Sequence, residues 1–236
     1  MKAVILCGGL GTRLSEETKK IPKPMVKIGN EPILIHIMNI FANYNIKNFV
    51  LALGYKKDIK RKYFKKKKYK NWNIELIDTG LYTMTGSRLS KLRKTLESEE
   101  NFFLTYGDGV SDINIKKLLK FHLKNKKVAT VTAVKPPARF GELYLNKNLV
   151  KKFAEKNQIN SGWINGGFFL FNKKIFNYLP KTPCMLEREP IKNLTKKKEL
   201  TAYKHSGFWQ CMDTLRDKEL LCNLWKSKKK NGKLNS

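Results

Sequence analysis

Short continuous apolar runs alternate with stretches of helical spacing through the first half of the chain. Ala3, Val4, Ile5, Leu6 and Cys7 form one such run, closed by glycine, the pattern of a strand buried on both faces. Glu31-Pro32 opens a helix whose apolar positions Leu34, Ile37, Met38 and Phe41 recur at helical spacing. Phe49–Leu53 reads as a second buried strand, ending at Gly54-Tyr55. Strand, helix, strand predicts a βαβ unit and hence a parallel sheet. The same logic continues: Ile59, Tyr63 and Phe64 mark a helix in the lysine-rich residues 58–70, and Ile74–Ile77 is a third strand. Leu89, Leu92 and Leu96 mark a helix, Phe102–Thr105 a fourth strand, Ile115, Leu118 and Leu119 another helix, and Val128–Val134 a further strand. From Phe140 the pattern changes to short strands and turns, closed by an amphipathic helix from about Thr214 to Trp225, with a disordered tail beyond. The prediction is an α/β chain: a Rossmann-like, mixed but mostly parallel central sheet with helices on both faces, and a sheet-rich second half.

The first strand runs into Gly8, Gly9 and Gly11, then Arg13 and, after a gap, Lys23. Glycines there let the main chain turn sharply and bring bare N–H groups close to a ligand, as in loops that cradle phosphate oxygens. A P-loop is excluded, because neither Gly8 nor Gly9 finds Gly-Lys at the required offset. The dinucleotide fingerprint is excluded too, since Leu14 stands where its third glycine belongs. In open α/β sheets ligands bind beyond the carboxyl ends of the strands. The glycine loop, Asp78-Thr79-Gly80 and Gly107-Asp108-Gly109 all come after strands and converge there by topology. Asp108 alone could be a turn aspartate bonding its own backbone. Beside the glycine loop it reads as a carboxylate open to a cation.

Composition sets the remaining bounds. A chain of 236 residues with 41% apolar content suits one globular domain, and no apolar run approaches the ~18 residues of a membrane span. The first strand begins at once, without the regions of a signal peptide, so the expected location is the cytoplasm. The net charge of +30 raises nucleic acid as a partner. The excess is mostly lysine spread along the chain, with short runs at Lys65–Lys68, Lys196–Lys198 and Lys228–Lys230, and no nucleic-acid motif accompanies it. It reads as solvated surface, with no specific nucleic acid and no membrane partner. The four cysteines form no CxxC pair and read as inert, and His36, His122 and His205 read as structural.

The stretch from Leu6 to Leu14 (Leu6-Cys7-Gly8-Gly9-Leu10-Gly11-Thr12-Arg13-Leu14), with Thr18 and Pro22-Lys23-Pro24-Met25, resembles the signature of the sugar-1-phosphate nucleotidylyltransferases. Tyr106-Gly107-Asp108-Gly109-Val110 resembles that family's metal-binding turn, and Phe208 to Thr214 the segment supplying its second carboxylate. Glu155-Lys156 resembles the pair that meets the sugar phosphate, and Asn165-Gly166-Gly167-Phe168 the sugar-pocket strand. Two departures stand out: Cys7 replaces the usual alanine, and Asn157 stands where proline normally comes after Lys156.

The resemblance implies the nucleotide-diphospho-sugar transferase fold over residues 1–226, a basic tail at 227–236, and a homo-oligomer. It implies that Leu6, Cys7, Gly8, Gly9, Leu10, Gly11, Thr12 and Gly107 bind the nucleotide, mainly through main-chain N–H groups, with Thr83 and Arg88 beside it. By the same resemblance Arg13 meets the departing phosphates, Lys23 the α-phosphate, Lys156 the attacking phosphate, and Glu155 and Asn165 the sugar hydroxyls. Asp108 and Asp213 would hold Mg²⁺. Within the family, Asp78-Thr79-Gly80, Met84-Thr85-Gly86, Arg88-Leu89, Arg139-Phe140-Gly141 and Glu187-Arg188-Glu189-Pro190 match the cytidylyl-transferring members. The implied substrates are CTP and α-D-glucose 1-phosphate. Such a transfer needs positioning and charge neutralisation and no side-chain nucleophile. Two alternatives stay open: a relative using dTTP or UTP, and a non-catalytic nucleotide-sugar-binding relative.

Overall fold

The buried apolar runs assemble into one sheet. The structure, a computed structural model, describes residues 1–66, 69, 71–136, 142–154 and 162–230. Its strands are β1 (Lys2–Cys7), β2 (Lys27–Ile28), β3 (Glu31–Pro32), β4 (Asn48–Leu53), β5 (Asn73–Asp78), β6 (Asn101–Tyr106) and β7 (Gly109–Ser111). They continue with β8 (Ala129–Val134), β9 (Glu142–Asn146), β10 (Leu149–Ala154), β11 (Ile164–Asn172), β12 (Leu200–His205) and β13 (Trp209–Cys211). The helices are α1 (Ser15–Thr18), α2 (Ile33–Ala42), α3 (Lys57–Lys66), α4 (Thr85–Ser90), α5 (Ile115–Asn125), α6 (Glu189–Lys196) and α7 (Leu215–Lys230).

Seven strands form the main sheet in the order β12-β8-β11-β6-β1-β4-β5. β1 pairs parallel with β4 and β6, β4 with β5, and β8 with β12, while β11 runs antiparallel between β6 and β8. The sheet is therefore mixed and mostly parallel, as the βαβ pattern predicts. Side chains alternate across it. Ala3, Ile5 and Cys7 join a core with Ile33, Leu34, Ile37 and Phe41 of α2, while Val4 and Leu6 join a second core with Leu89, Leu92, Leu96 and Leu194. Both faces are covered, which is what continuous apolar strands require.

The reversal of β11 brings residues from the second half of the chain to the edge where the glycine loop lies. An antiparallel strand presents its amino end where parallel neighbours present their carboxyl ends, so Asn165 and Gly166 arrive beside that loop. Apart from β9 and β10, which pair antiparallel in a two-stranded sheet of their own, the strands of the second half do not build a separate layer. β8, β11 and β12 extend the first sheet, and β13 pairs with β7.

Three local readings differ from the structure. Glu31-Pro32 lies in a two-residue strand paired with Lys27–Ile28, because Gly29 takes a left-handed φ of 64° and reverses the chain, and α2 starts only at Ile33. The helix expected through Leu89, Leu92 and Leu96 is broken into α4 and a 3₁₀ turn at Lys94–Leu96. All three leucines are nevertheless fully buried, because apolar spacing selects the buried face and not the pitch of the hydrogen bonds. Finally, α7 does not stop at Trp225 but continues to Lys230. Among the described residues no helix is long and apolar enough to cross a membrane.

Phe103 is fully buried in the centre of β6, with its ring 5.5 Å from that of Phe41 on α2. Phe103→Ala should cost about 3–5 kcal/mol of stability, read as a lower urea midpoint at unchanged slope. A loss below about 1 kcal/mol would show that this contact is not part of the core.

Candidate active site

A cleft of about 600 Å³ opens at the carboxyl edge of β1 and β6, and most of the residues singled out in the sequence line it. Its floor is the loop after β1. Gly11 has φ 71°, from which Thr12–Leu14 winds into a 3₁₀ turn, and Thr18 Oγ1 ties that turn down by donating to the carbonyls of Gly11 and Leu14, each at 3.0 Å. Gly8 cannot carry a side chain, since a Cβ there would lie 2.1 Å from Arg88 Cζ. The Gly8 carbonyl points inward, accepting from Arg88 Nη2 at 3.0 Å and Tyr55 N–H at 3.1 Å. The N–H groups of Gly9, Leu10 and Gly11 find no acceptor among the described residues. Backbone N–H groups without an internal acceptor are the donors from which anion-binding nests are built.

The second element is a cation held between two carboxylates. Lys23, 8% exposed at the end of the Pro22-Lys23-Pro24 turn, donates from Nζ to Asp108 Oδ2 at 2.6 Å and Asp213 Oδ1 at 2.5 Å. Arg13 Nη1 reaches the other oxygen of Asp213 at 2.5 Å. Burial alone would push the Lys23 pKa down, but the charges and hydrogen bonds of Asp108 and Asp213 outweigh it and hold it above its ordinary value. Lys23 stays charged at neutral pH.

Local sequence explains why these groups meet. Asp108 occupies the turn from β6 into β7, and β7 pairs antiparallel with β13, Gly109 facing Cys211. Met212 N–H donates to the Asp108 carbonyl at 2.8 Å, so the ladder places Asp213 next to Asp108. Asp213 is clamped in turn by Asp217, whose Oδ2 accepts from the N–H groups of Asp213 and Thr214 at 3.0 and 2.9 Å. Thr214 Oγ1 accepts from Asp217 N–H at 3.3 Å, a capping-box arrangement that starts α7. Gly107 must be small as well, because a Cβ would press on Pro24 Cγ at 2.8 Å.

At the other end of the cleft, β11 bulges between Asn165 and Phe169, with Gly167 at φ 79° and its N–H donating to Asn165 Oδ1 at 2.8 Å. Trp209 Nε1 fixes the bulge by donating to the Gly166 carbonyl at 2.7 Å. Glu187 accepts hydrogen bonds from Tyr106 Oη and, at 2.6 Å, from Thr85 Oγ1. Burial and the adjacent Glu187 carboxylate push the Tyr106 pKa up, so its hydroxyl stays protonated.

Arg13, Lys23, Thr83, Arg88, Gly107, Asp108, Asn165 and Asp213 all line this cleft, together with Leu6, Cys7, Gly8, Gly9 and Gly11. Leu10 and Thr12 are exposed and outside its lining, so only their backbone could serve a ligand there. Glu155 and Lys156 lie outside the described residues. Arg88, expected beside the nucleotide, is 3% exposed, and Nη1 and Nη2 are spent on the carbonyls of Gly8, Leu53, Gly80 and Leu81 and on Thr79 Oγ1. Thr83 Oγ1 donates to the Thr79 carbonyl at 2.6 Å. Glu187, Thr85, Met185 and Trp209 also line the cleft; the family resemblance runs through the segments of Thr85, Trp209 and Glu187 without giving them a role in the site, and only tertiary contact puts these side chains there. The histidines sit elsewhere: His36 Nε2 on the Ile28 carbonyl, His122 between Thr130 and Asn101, and His205 beside Asp112.

Comparison with known proteins bears on this arrangement. The family model described as Nucleotidyl transferase matches residues 2–213. The glucose-1-phosphate cytidylyltransferase of Salmonella typhimurium is 43% identical over 250 residues, covering 97% of each chain. The probable glucose-1-phosphate cytidylyltransferase of Bacillus subtilis is 40% identical, covering 95% of this chain and 96% of that one. Among solved structures, HddC from Yersinia pseudotuberculosis superposes with a TM-score of 0.75 at 26% identity, covering 95% of this chain and 99% of that one.

The thiol at the head of the loop is inert for a physical reason. Burial pushes the Cys7 pKa up to about 12, against the pull of Lys60 and Arg88. At pH 8 the thiolate fraction is then on the order of one in ten thousand. Iodoacetamide at pH 8 should leave Cys7 unmodified in the folded protein and alkylate it after denaturation, as read by mass spectrometry. Rapid labelling of the native chain would mean that the loop opens to solvent.

Proposed function

The chain belongs to the nucleotidyl transferase family, and on that premise we propose that it converts CTP and α-D-glucose 1-phosphate into CDP-glucose and pyrophosphate. The observation that carries this reading is the meeting of Lys23, Asp108 and Asp213 at the mouth of the glycine loop. The alternative of a silent binding relative would not require a buried cation braced by two carboxylates.

The reaction brings two polyanions together, and the sugar-phosphate oxygen attacks the α-phosphorus in line while pyrophosphate leaves. The N–H groups of Gly9, Leu10 and Gly11 bind phosphate oxygens without any reorganisation, because the loop is already turned. Lys23 neutralises the α-phosphate as charge builds on it. Arg13, with its side chain 74% exposed, swings from Asp213 to the departing β- and γ-phosphates. Asn165 can donate to and accept from sugar hydroxyls at the far end, where the Glu187 carboxylate accepts, and Glu155 and Lys156 are assigned to the sugar hydroxyls and sugar phosphate by resemblance alone.

Mg²⁺ fits the residues present. Two hard carboxylate donors converge on one point that already holds a positive charge. Magnesium is commonly held by one or two carboxylates, with water and substrate phosphates completing its shell. Asp108 and Asp213 would hold it, and when bound it supplies charge neutralisation between the two substrates. The reading includes a homo-oligomer, supported by the exposed apolar side chains Leu143, Leu149, Val150 and Phe153 on the β9–β10 hairpin. A monomer in sedimentation velocity would remove that part.

Two measurements test the function. In a pyrophosphate-release assay with glucose 1-phosphate, CTP should turn over well ahead of UTP, dTTP and GTP, and equal rates would reduce the claim to an unspecified transfer. Asp108→Asn should keep the folded circular-dichroism spectrum and cost ~10²-fold or more in kcat, since it removes charge stabilisation made largely in the transition state. Near-normal turnover would remove Asp108 from the chemistry.

A further inference from the structure

Beneath the glycine loop lies a second cation that the proposed reaction does not use. Lys60, on α3, is 0% exposed, and its Nζ donates to the Tyr55 carbonyl at 2.8 Å. Tyr55 N–H in turn donates to the Gly8 carbonyl at 3.1 Å, the same carbonyl that Arg88 Nη2 holds at 3.0 Å. Neither Lys60 nor Arg88 forms an ion pair with a carboxylate among the described residues. Arg88 therefore holds the Gly8 carbonyl directly and Lys60 reaches it through Tyr55, and the nearest carboxylate charge, Asp78, acts on Arg88 without pairing with it. Burying an uncompensated charge is costly, so the arrangement disfavours the empty protein.

The geometry of that peptide says what the cost achieves. The peptide bonds among the described residues are trans, so the Gly8 carbonyl and the Gly9 N–H point in opposite directions. With the carbonyl drawn inward by Arg88 and Tyr55, the Gly9 N–H is aimed at the cleft, and it meets no acceptor there among the described residues. We propose that Lys60 is a positioning residue for nucleotide binding: by holding the Tyr55 carbonyl it backs the Tyr55 N–H that, with Arg88, fixes the Gly8 carbonyl, and its charge, which no carboxylate among the described residues pairs, attracts the nucleotide's phosphates. This rests on the reading of the loop as a triphosphate cradle.

Proton linkage gives the proposal a pH signature. The groups facing Lys60 are the Arg88 guanidinium and the Cys7 thiol, and Cys7 is neutral at physiological pH. Burial, with repulsion from Arg88, lowers the Lys60 pKa to about 8, and the neutral Cys7 thiol supplies no counter-charge there. The unfolded chain keeps its lysine protonated to higher pH, so between about 8 and the ordinary lysine value the folded protein gains stability as pH rises. Nucleotide binding runs the other way. The phosphates favour charged Lys60, so affinity is greatest below about pH 8 and falls as pH rises through it.

The test is CTP binding with Mg²⁺ and no sugar phosphate, by isothermal titration at about pH 7.5 and about pH 9.5, on either side of the Lys60 transition, beside thermal melts at the lower pH. Wild type should bind roughly tenfold more tightly at the lower pH than at the higher. Lys60→Met should melt at a higher temperature than wild type, bind CTP roughly tenfold more weakly at the lower pH, and lose the pH dependence. Lys60→Arg should restore the affinity and hold it at the higher pH, because guanidinium does not titrate there. Parallel loss of stability and affinity in Lys60→Met, with no rescue by arginine, would make Lys60 merely structural and overturn the proposal. So would unchanged CTP affinity. If wild type releases pyrophosphate but the variants bind alike, only this inference falls; if wild type binds no CTP, the triphosphate cradle falls and this inference with it.

Discussion

The ammonium of Lys23, shared between Asp108 and Asp213, is the contact on which the cleft depends. It joins three segments far apart in the chain: the turn after α1, the exit of β6 and the entry to α7. Without the cation two carboxylates would face each other at short range, and without the carboxylates a nearly buried ammonium would lack a counter-charge. Either loss is costly because the site is partly desolvated. The same balance suits a cleft that handles phosphates. A divalent cation or a polyphosphate entering it meets groups already paired with the opposite charge, and binding becomes an exchange of partners.

Positive charge is arranged here in two tiers. Arg13 and Lys23 stand in the cleft and are braced by carboxylates. Arg88 and Lys60 lie beneath the loop, where their hydrogen bonds go to backbone carbonyls and, for Arg88, to Thr79 Oγ1 as well. The upper tier can move onto a ligand. The lower tier cannot, and it turns carbonyls inward so that N–H groups face out. A net charge of +30 says nothing of this division, since most of the excess lies on the surface.

Several glycines reflect the same crowding. At Gly8 the missing Cβ leaves room for the Arg88 guanidinium, and at Gly107 for Pro24. These are packing requirements of a loop pressed against its supports. The left-handed φ of Gly11 is a different one, concerned with the turn alone.

Legible from the chain alone were the main strands and helices as far as Val134, the closing helix, the glycine loop, Lys23, Asp108, Asp213 and Asn165, and the family. Periodicity and short motifs are local, and they survive translation into structure because burial of an apolar run and the turn of a glycine loop need few distant partners. What the tertiary structure decided is of another kind. The insertion of β11 antiparallel between β6 and β8 brings Asn165 to the site, and the β7–β13 ladder sets Asp213 beside Asp108 although the two are far apart in the chain. Lys60 is one of 49 basic residues and looks like any other in a lysine-rich helix. Only packing removes it from water, and desolvation, which depends on every neighbour in space and none in particular along the chain, is what gives its charge an effect.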